Sequence, residues 1–345
     1  MALGSRRIAV CLPQTPFLRG GAELHAESLC RELNQRGFSA ELVTVPFSWD
    51  KEHLLQNALN WRLVHLNADI VIGTKFPSYF VKHPNKIVWL FHQHRPVYDL
   101  YGTEYSPFGA DPGDDEARRA VCSADTRAIR EARHVFSVSR NVARRLAQYN
   151  AIHAEPLYHP SPFHQHLRFE EYGDFVFLPT RLELNKRPGL LVEAMAHTRS
   201  GAKCVIAGNG SLAGALRKDI ERWGLAERVT LLDWITDPLE LAEFYARCFA
   251  VFYGPYDEDY GYVTLEAFGS RKPVLTTVDA GGVLEFVTDA QTGFVTEVDP
   301  EAIARRIDEL AESRRLCRRL GEAGYDSVQD ISWDQVIRRL IGACG

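Results

Sequence analysis

The sequence predicts an α/β protein made of two doubly wound, Rossmann-like parallel-sheet domains facing a central cleft. Three observations lead there. Short, almost wholly apolar runs alternate with amphipathic helical stretches along the 345-residue chain, the pattern of parallel strands covered on both faces. The alternation breaks between Ala154 and Gly173, where Pro156, Pro160 and Pro162 occur without any periodicity, as expected of a linker. The length is sufficient for two separate cores.

In the first half, Ile8–Leu12 reads as a buried strand followed by a Pro/Gly-rich turn from Pro13 to Gly21. A helix is expected from about Ala22 to Arg36, with Leu24, Leu29 and Leu33 on one face and Gly37 as its stop. Strands follow at Glu41–Pro46, Asp69–Gly73 and Lys86–Phe91. Asp111 to Ala132 reads as a loop and a long charged helix, and Val135–Val138 as the last strand of this half. Ser139 is placed to cap a helix over Arg140–Tyr149. These elements define an N-terminal domain over 1–160.

Alternation restarts beyond the linker and defines a second domain over 174–329. Its strands are expected at Phe175–Leu178, Lys203–Ala207, Val229–Leu232, Ala250–Tyr253, Pro273–Thr277 and Gly293–Val298. Helices are expected at Pro188–Ala196, Ala213–Trp223, Pro238–Cys248, Tyr262–Gly269, Pro300–Ser313 and Arg314–Ser327. A last amphipathic helix, Trp333–Ile341 within 330–345, is expected to return to the first domain.

Composition narrows the function. Through residue 165 there are 19 Lys and Arg against 16 Asp and Glu; beyond it there are 21 against 29. Neither half is basic enough for nucleic-acid binding, and the imbalance suggests that the halves face different ligands. No run approaches the eighteen or so apolar residues of a membrane span, and Ile8–Leu12 is too short for a signal-peptide core. The seven cysteines form no Cys-x-x-Cys pair, so free thiols in a reducing compartment are expected. A cytoplasmic protein is expected, with peripheral contact at the inner membrane face left open.

Four constellations carry chemistry. The first, Arg19-Gly20-Gly21-Ala22-Glu23, lies between the first strand and first helix; paired glycines admit a ligand close to backbone, and a helix start offers free N–H groups to an anion. It is not a Gly-x-Gly-x-x-Gly fingerprint, which argues against a nicotinamide dehydrogenase. The second pairs Arg181 with Lys186 after the first strand of the second domain, where two cations could neutralise a diphosphate or simply be solvated. The nearby Gly208-Asn209 turn could admit a nucleotide or be a plain loop. The third and most specific is Glu258-Asp259-Tyr260-Gly261-Tyr262-Val263-Thr264-Leu265-Glu266, two glutamates bracketing a glycine and a helix start. Carboxylates accept hydrogen bonds from sugar and ribose hydroxyls, and the helix-start N–H groups between them suit a phosphate. The fourth is Asp279-Ala280-Gly281-Gly282-Val283-Leu284-Glu285, a second glycine pair between a strand and a helix.

Taken in order, Gly20-Gly21-Ala22-Glu23, Val138-Ser139, Arg181…Lys186, Glu258…Glu266 and Gly281-Gly282…Glu285 resemble glycosyltransferase family 4 along almost the whole chain, most sharply from about 176 to 296. The resemblance implies a GT-B fold, a nucleoside-diphosphate sugar donor, retention of anomeric configuration, and no cofactor or essential metal. By position it implies that Arg181 and Lys186 hold the diphosphate and Glu258 contacts sugar hydroxyls. It further implies backbone N–H groups from Gly261, Tyr262 and Val263, the ribose on Glu266, and the base near Trp234 and Ile235. Gly20, Gly21, Gly208 and Asn209 would line the donor site. His92, directly after its strand, is preferred over His94 as the histidine beside the donor sugar. The acceptor would be a glycan, a lipid-linked species or a small molecule, bound by the N-terminal half. A GT-B epimerase or phosphorylase, and a nucleotide-sugar binding protein without turnover, remain alternatives.

Overall fold

The computed structural model describes residues 6–17 and 20–343. The chain forms two compact units, Met1–Pro162 with Ser332–Gly345, and Phe163–Ile331. Arg19 of the first glycine constellation lies outside the described residues, as does Cys344.

The first unit is built on β1 (Arg7–Gln14), α1 (Gly21–Gln35), β2 (Ser39–Pro46), the short helix α2 (Leu54–Leu59), β3 (Ile70–Gly73) and β4 (Lys86–Leu90). It continues through α3 (Asp114–Arg130), β5 (His134–Ser137), α4 (Arg140–Asn150) and β6 (Glu155–Pro156). All six strands are parallel, in the order β2-β1-β3-β4-β5-β6. β3 and β4 are buried along their whole length, which is why, apart from the buried Lys86 that opens β4, they read as apolar runs rather than alternating ones. Ser139 caps α4 as its residue type demands, its hydroxyl accepting from Val142 N at 3.1 Å. One expectation is corrected: β5 is not the last strand of this half. β6 adds two residues at the sheet edge, inside the segment read as linker. Pro156 lacks an N–H to donate, so it is confined to an edge, and two residues leave no periodicity to detect.

The second unit comprises β7 (Phe175–Pro179), α5 (Pro188–His197), β8 (Lys203–Ala207), α6 (Ala213–Arg222), β9 (Val229–Leu232) and α7 (Pro238–Arg247). It continues through β10 (Ala250–Phe252), α8 (Tyr262–Gly269), β11 (Val274–Thr277), β12 (Gly293–Thr296), α9 (Pro300–Glu312) and α10 (Arg314–Ser327). Its sheet is again all parallel, in the order β12-β11-β10-β7-β8-β9. The core runs through the sheet centre, from Phe177 and Leu178 to Phe252 and Leu275. The C-terminal helix α11 (Trp333–Gly342) belongs to the first unit: Trp333 meets Trp89 of β4 edge to face at 6.2 Å, and Asp334 pairs with Arg36.

Two consequences position the sites. Because every strand of a sheet runs one way, all loops following strands emerge at one edge. In each sheet the chain also reverses its direction of spread beside its first strand, between β1 and β3 in one unit and between β7 and β10 in the other. Such reversal points open a crevice at the carboxyl edge, where doubly wound sheets bind ligands. The six described cysteines are free, and no helix among the described residues is long and apolar enough to cross a membrane.

Candidate active site

In the second unit, the loops after β7 and β10 flank the reversal point, and they carry Lys186 and Glu258. A turn over Leu184–Lys186 ends at Arg187, which takes φ +50°, a conformation non-glycine residues seldom adopt. Pro188 then opens α5 with its φ already helical. Arg187 is held there by both oxygens of Asp279, at 2.9 and 2.7 Å, and lies over the Tyr256 ring at 5.2 Å. Tyr256 N donates to Asn185 O at 2.8 Å. The loop after β10 is tied to the loop after β11 by Asp257 N to Asp279 O at 2.9 Å and Gly282 N to Glu258 O at 2.8 Å. The third and fourth constellations are therefore backbone-paired neighbours.

Lys186 Nζ forms an ion pair with Glu258 Oε2, and Tyr253 donates its hydroxyl proton to the same oxygen at 2.6 Å. Burial pushes the Glu258 carboxyl up, but the Lys186 ammonium and the Tyr253 hydrogen bond outweigh it and hold the group below the usual carboxylate range. The charged carboxylate is thus fixed in place at the sheet edge. Glu266, one turn into α8, is also buried, and its Oε2 accepts from Tyr245 OH at 2.7 Å. Between the glutamates, Gly261 caps α8 with φ +87°, which favours glycine, and leads into Tyr262 and Val263 in the first turn.

Arg181 follows β7 and is exposed; its side chain makes no ion pair among the described residues. Gly208 and Asn209 follow β8. A Cβ on Gly208 would stand 1.8 Å from Thr180 O, its N–H donates to Leu232 O at 3.1 Å, and Asn209 O accepts from Leu182 N at 2.8 Å. This glycine is required by packing of the loop after β8 on the loop after β7. Trp234 follows β9 with 41% of its surface exposed, and Ile235 packs partly on the core. All these side chains stand along one edge of one sheet.

Gly20, Gly21 and His92 stand in the other unit, at the carboxyl edge of its sheet. Gly20 N donates to Glu23 Oε2 at 2.9 Å, so one of the helix-start N–H groups is already engaged by the helix itself. The other oxygen of Glu23 takes Lys75 Nζ at 2.5 Å. His92 places Nδ1 2.7 Å from Gln93 O. His94 is buried, stacked on Trp49 at 5.3 Å, and burial pushes its ring down to about 3; it is a neutral packing residue. Tyr253, Tyr245, Arg187 and Lys75 were not singled out from the sequence, and Asp279 and Glu23 were seen only within their glycine constellations, because the partners lie 5 to 92 residues away and no local pattern marks the pairings. The acidic run Asp257-Glu258-Asp259 has its middle carboxylate engaged by Lys186, and no group of three or more His, Cys, Asp or Glu among the described residues could hold a metal ion.

Comparison with known proteins adds to this geometry. The family described as glycosyl transferases group 1 matches residues 162–327, almost the whole second unit. EpsD of Bacillus subtilis (strain 168), which carries a provisional glycosyltransferase name, is 29% identical over 189 residues, 52% of this chain and 49% of EpsD. The chain therefore spans about half the length of that relative. Among solved structures, Anabaena HepE in complex with UDP and glucose has a TM-score of 0.73 at 17% identity, covering 98% of both chains. Sucrose-phosphate synthase from Thermosynechococcus elongatus has a TM-score of 0.74 at 18% identity, over 98% of this chain and all of that one. The fold is that of these proteins, the two-unit GT-B fold.

Proposed function

We propose that the chain is a glycosyltransferase of the family 4 type, moving a sugar with retention of configuration from a nucleoside-diphosphate sugar to a glycan, lipid-linked or small-molecule acceptor. The observation that carries this reading is the Lys186–Glu258 pair at the reversal point of the second sheet, with Arg181, Trp234 and the α8 start along the same edge. Support comes from the group 1 match over that unit and from the UDP and glucose bound by HepE.

In this reading Trp234 and Ile235 take the base, Glu266 the ribose, and Gly261, Tyr262 and Val263 offer N–H groups to phosphate. Gly20, Gly21, Gly208 and Asn209 border the donor, and His92 stands beside its sugar. Glu258 accepts from sugar hydroxyls and fixes the ring for reaction. Breaking the sugar–phosphate bond builds negative charge on the departing diphosphate, which Arg181 and Lys186 meet. Lys186, already held by Glu258 and Tyr253, needs little reorganisation when that charge appears. No metal takes part: the ammonium occupies the carboxylate that a divalent cation would need. The first unit binds the acceptor.

Incubation with a panel of nucleoside-diphosphate sugars, reading free diphosphate and labelled product, tests the proposal. Acceptor-dependent release with the anomeric configuration kept supports it. Isomerised donor, phosphate-dependent cleavage, or binding without release would replace it.

A further inference from the structure

The turn that carries His92 is held by buried hydrogen bonds that run in one direction. They start at Asp125 on α3, fully buried, whose Oδ2 accepts the Tyr98 hydroxyl proton at 2.7 Å. Tyr98 in turn accepts from Asn150 Nδ2 at 3.2 Å, and Cys122 O, a carbonyl that can only accept, lies 3.4 Å from the same nitrogen. Nδ2 also donates to Thr126 Oγ1 at 2.8 Å, and that hydroxyl passes its own proton to Cys122 O at 2.7 Å. The nitrogen of the Asn150 amide thus faces acceptors, which fixes the amide's orientation. Its Oδ1 points the other way and accepts from Gln93 Nε2 at 2.6 Å. Gln93, Tyr98, Asp125 and Asn150 are each at most 4% exposed, so water does not compete for these bonds.

The last link reaches His92. Gln93 O lies 2.7 Å from His92 Nδ1, and a carbonyl can only accept, so Nδ1 carries the proton. In the neutral ring Nε2 is then a hydrogen-bond acceptor. We infer that Gln93 and Asn150 are positioning residues that hold the Gln93 carbonyl in register and so fix His92 with Nε2 as the acceptor for a substrate hydroxyl. The inference rests on placing His92 beside the sugar. A buried polar chain adds little net stability compared with apolar packing, but it specifies one arrangement.

The test uses the full-length chain with Gln93→Met, Asn150→Leu and the double variant, each compared with His92→Ala. Gln93→Met leaves Asn150 Oδ1 buried without its donor, Asn150→Leu leaves the Gln93 amide buried without its acceptor, and each lowers thermal stability; the double change removes both groups, recovers most of that loss and so separates stability from positioning. Nitrogen-15 NMR of the His92 ring, assigned by its disappearance in His92→Ala, reads the tautomer. The wild type is expected with its proton on Nδ1, and the stable double variant with a mixture. The double variant's kcat is expected to fall roughly tenfold, the scale of one hydrogen bond, with donor KM unchanged within about twofold. A double variant that keeps the Nδ1–H tautomer and wild-type kcat overturns the inference. Should His92→Ala turn over like the wild type, the role of His92 fails, while the NMR result still decides whether Gln93 and Asn150 set its tautomer.

Discussion

Both sheets reverse beside their first strand, and both place a Glu–Lys ion pair there, yet the two pairs are built differently. In the first unit Glu23 belongs to the first turn of α1, with one oxygen on Gly20 N and the other on Lys75. One of its two oxygens is thereby engaged in closing a helix start. In the second unit Glu258 lies in a loop, held by Lys186 and Tyr253 and by backbone bonds to the neighbouring loop. The surroundings differ as well. The first pair adjoins an indole that bonds to neither partner, with Lys75 over Trp49 at 5.9 Å and Trp49 on His94; the second adjoins a phenol that also bonds to its carboxylate, with Lys186 over the Tyr253 ring at 5.9 Å. One topological position thus serves helix capping in one unit and a preorganised charge pair in the other.

The largest contrast is expected in acid. His25 is fully buried against Trp89, Phe91 and His159, and burial holds its ring down to about 3. Burial likewise holds His94 at about 3 and His159 well below the usual value. Each binds a proton when unfolded, below about 6.5, and not when folded, so stability falls as pH drops from about 6.5 toward 3. The loss is on the order of 1 kcal/mol per histidine per pH unit. Asp125 runs the other way: burial lifts it to about 7, so its stabilising contribution is present below about 4 and lost as pH rises through 7. Three groups oppose one, and all four are in the first unit. Hydrogen exchange at pH 5 should show that unit opening first, with His25→Phe flattening its acid slope; earlier opening of 163–331 would break the contrast.

Next in size are changes at the two ion pairs. Lys186→Ala should lower kcat by a factor on the order of 10² or more, the scale of removing one electrostatic donor, and Arg181→Ala likewise. Without Lys186, burial dominates and the Glu258 carboxyl moves up. Glu23→Ala should change kcat less than tenfold and cost about 1 kcal/mol in stability, as loss of a cap does. Equal kinetic losses at both sites would erase the distinction. Gly208→Ala, whose Cβ meets Thr180 O, should destabilise the second unit by about 1–3 kcal/mol; an unchanged melting temperature with weakened nucleotide binding would instead make the glycine a ligand contact. The smallest expected effect is that of excess chelator, which should leave turnover unchanged. Loss of activity restored by magnesium or manganese would assign Asp257-Glu258-Asp259 to a metal.

The same contrast explains what was legible in the sequence. Apolar runs announced β3, β4, β7 and β8 because parallel strands are buried on both faces. Ser139 announced α4 because a cap needs one residue type at one place. Glu258, Gly261 and Glu266 were legible as a group because they share one loop and one helix start. Their anchors were not. Tyr245 and Tyr253 look like core aromatics, and Asp279 meets Arg187 across 92 residues, a pairing only the fold creates. The buried histidines were equally silent: His25 and His159 come together from the two ends of the first unit, and nothing local distinguishes them from solvated ones. The two residues of β6 carry too little pattern to separate a strand from a linker.

The central claim, that the carboxyl edge of the second sheet holds a nucleoside-diphosphate sugar through Lys186 and Glu258, is tested most directly by thermal unfolding with a panel of nucleoside diphosphates and their sugars, in chelator, for the wild type and Lys186→Ala. A ligand at 100 times its Kd should add about 2.7 kcal/mol of apparent stability. At least one nucleoside diphosphate and its sugar should do so for the wild type, and the gain should shrink in the variant. A wild type that no nucleotide stabilises, or one stabilised equally with and without Lys186, would contradict the account.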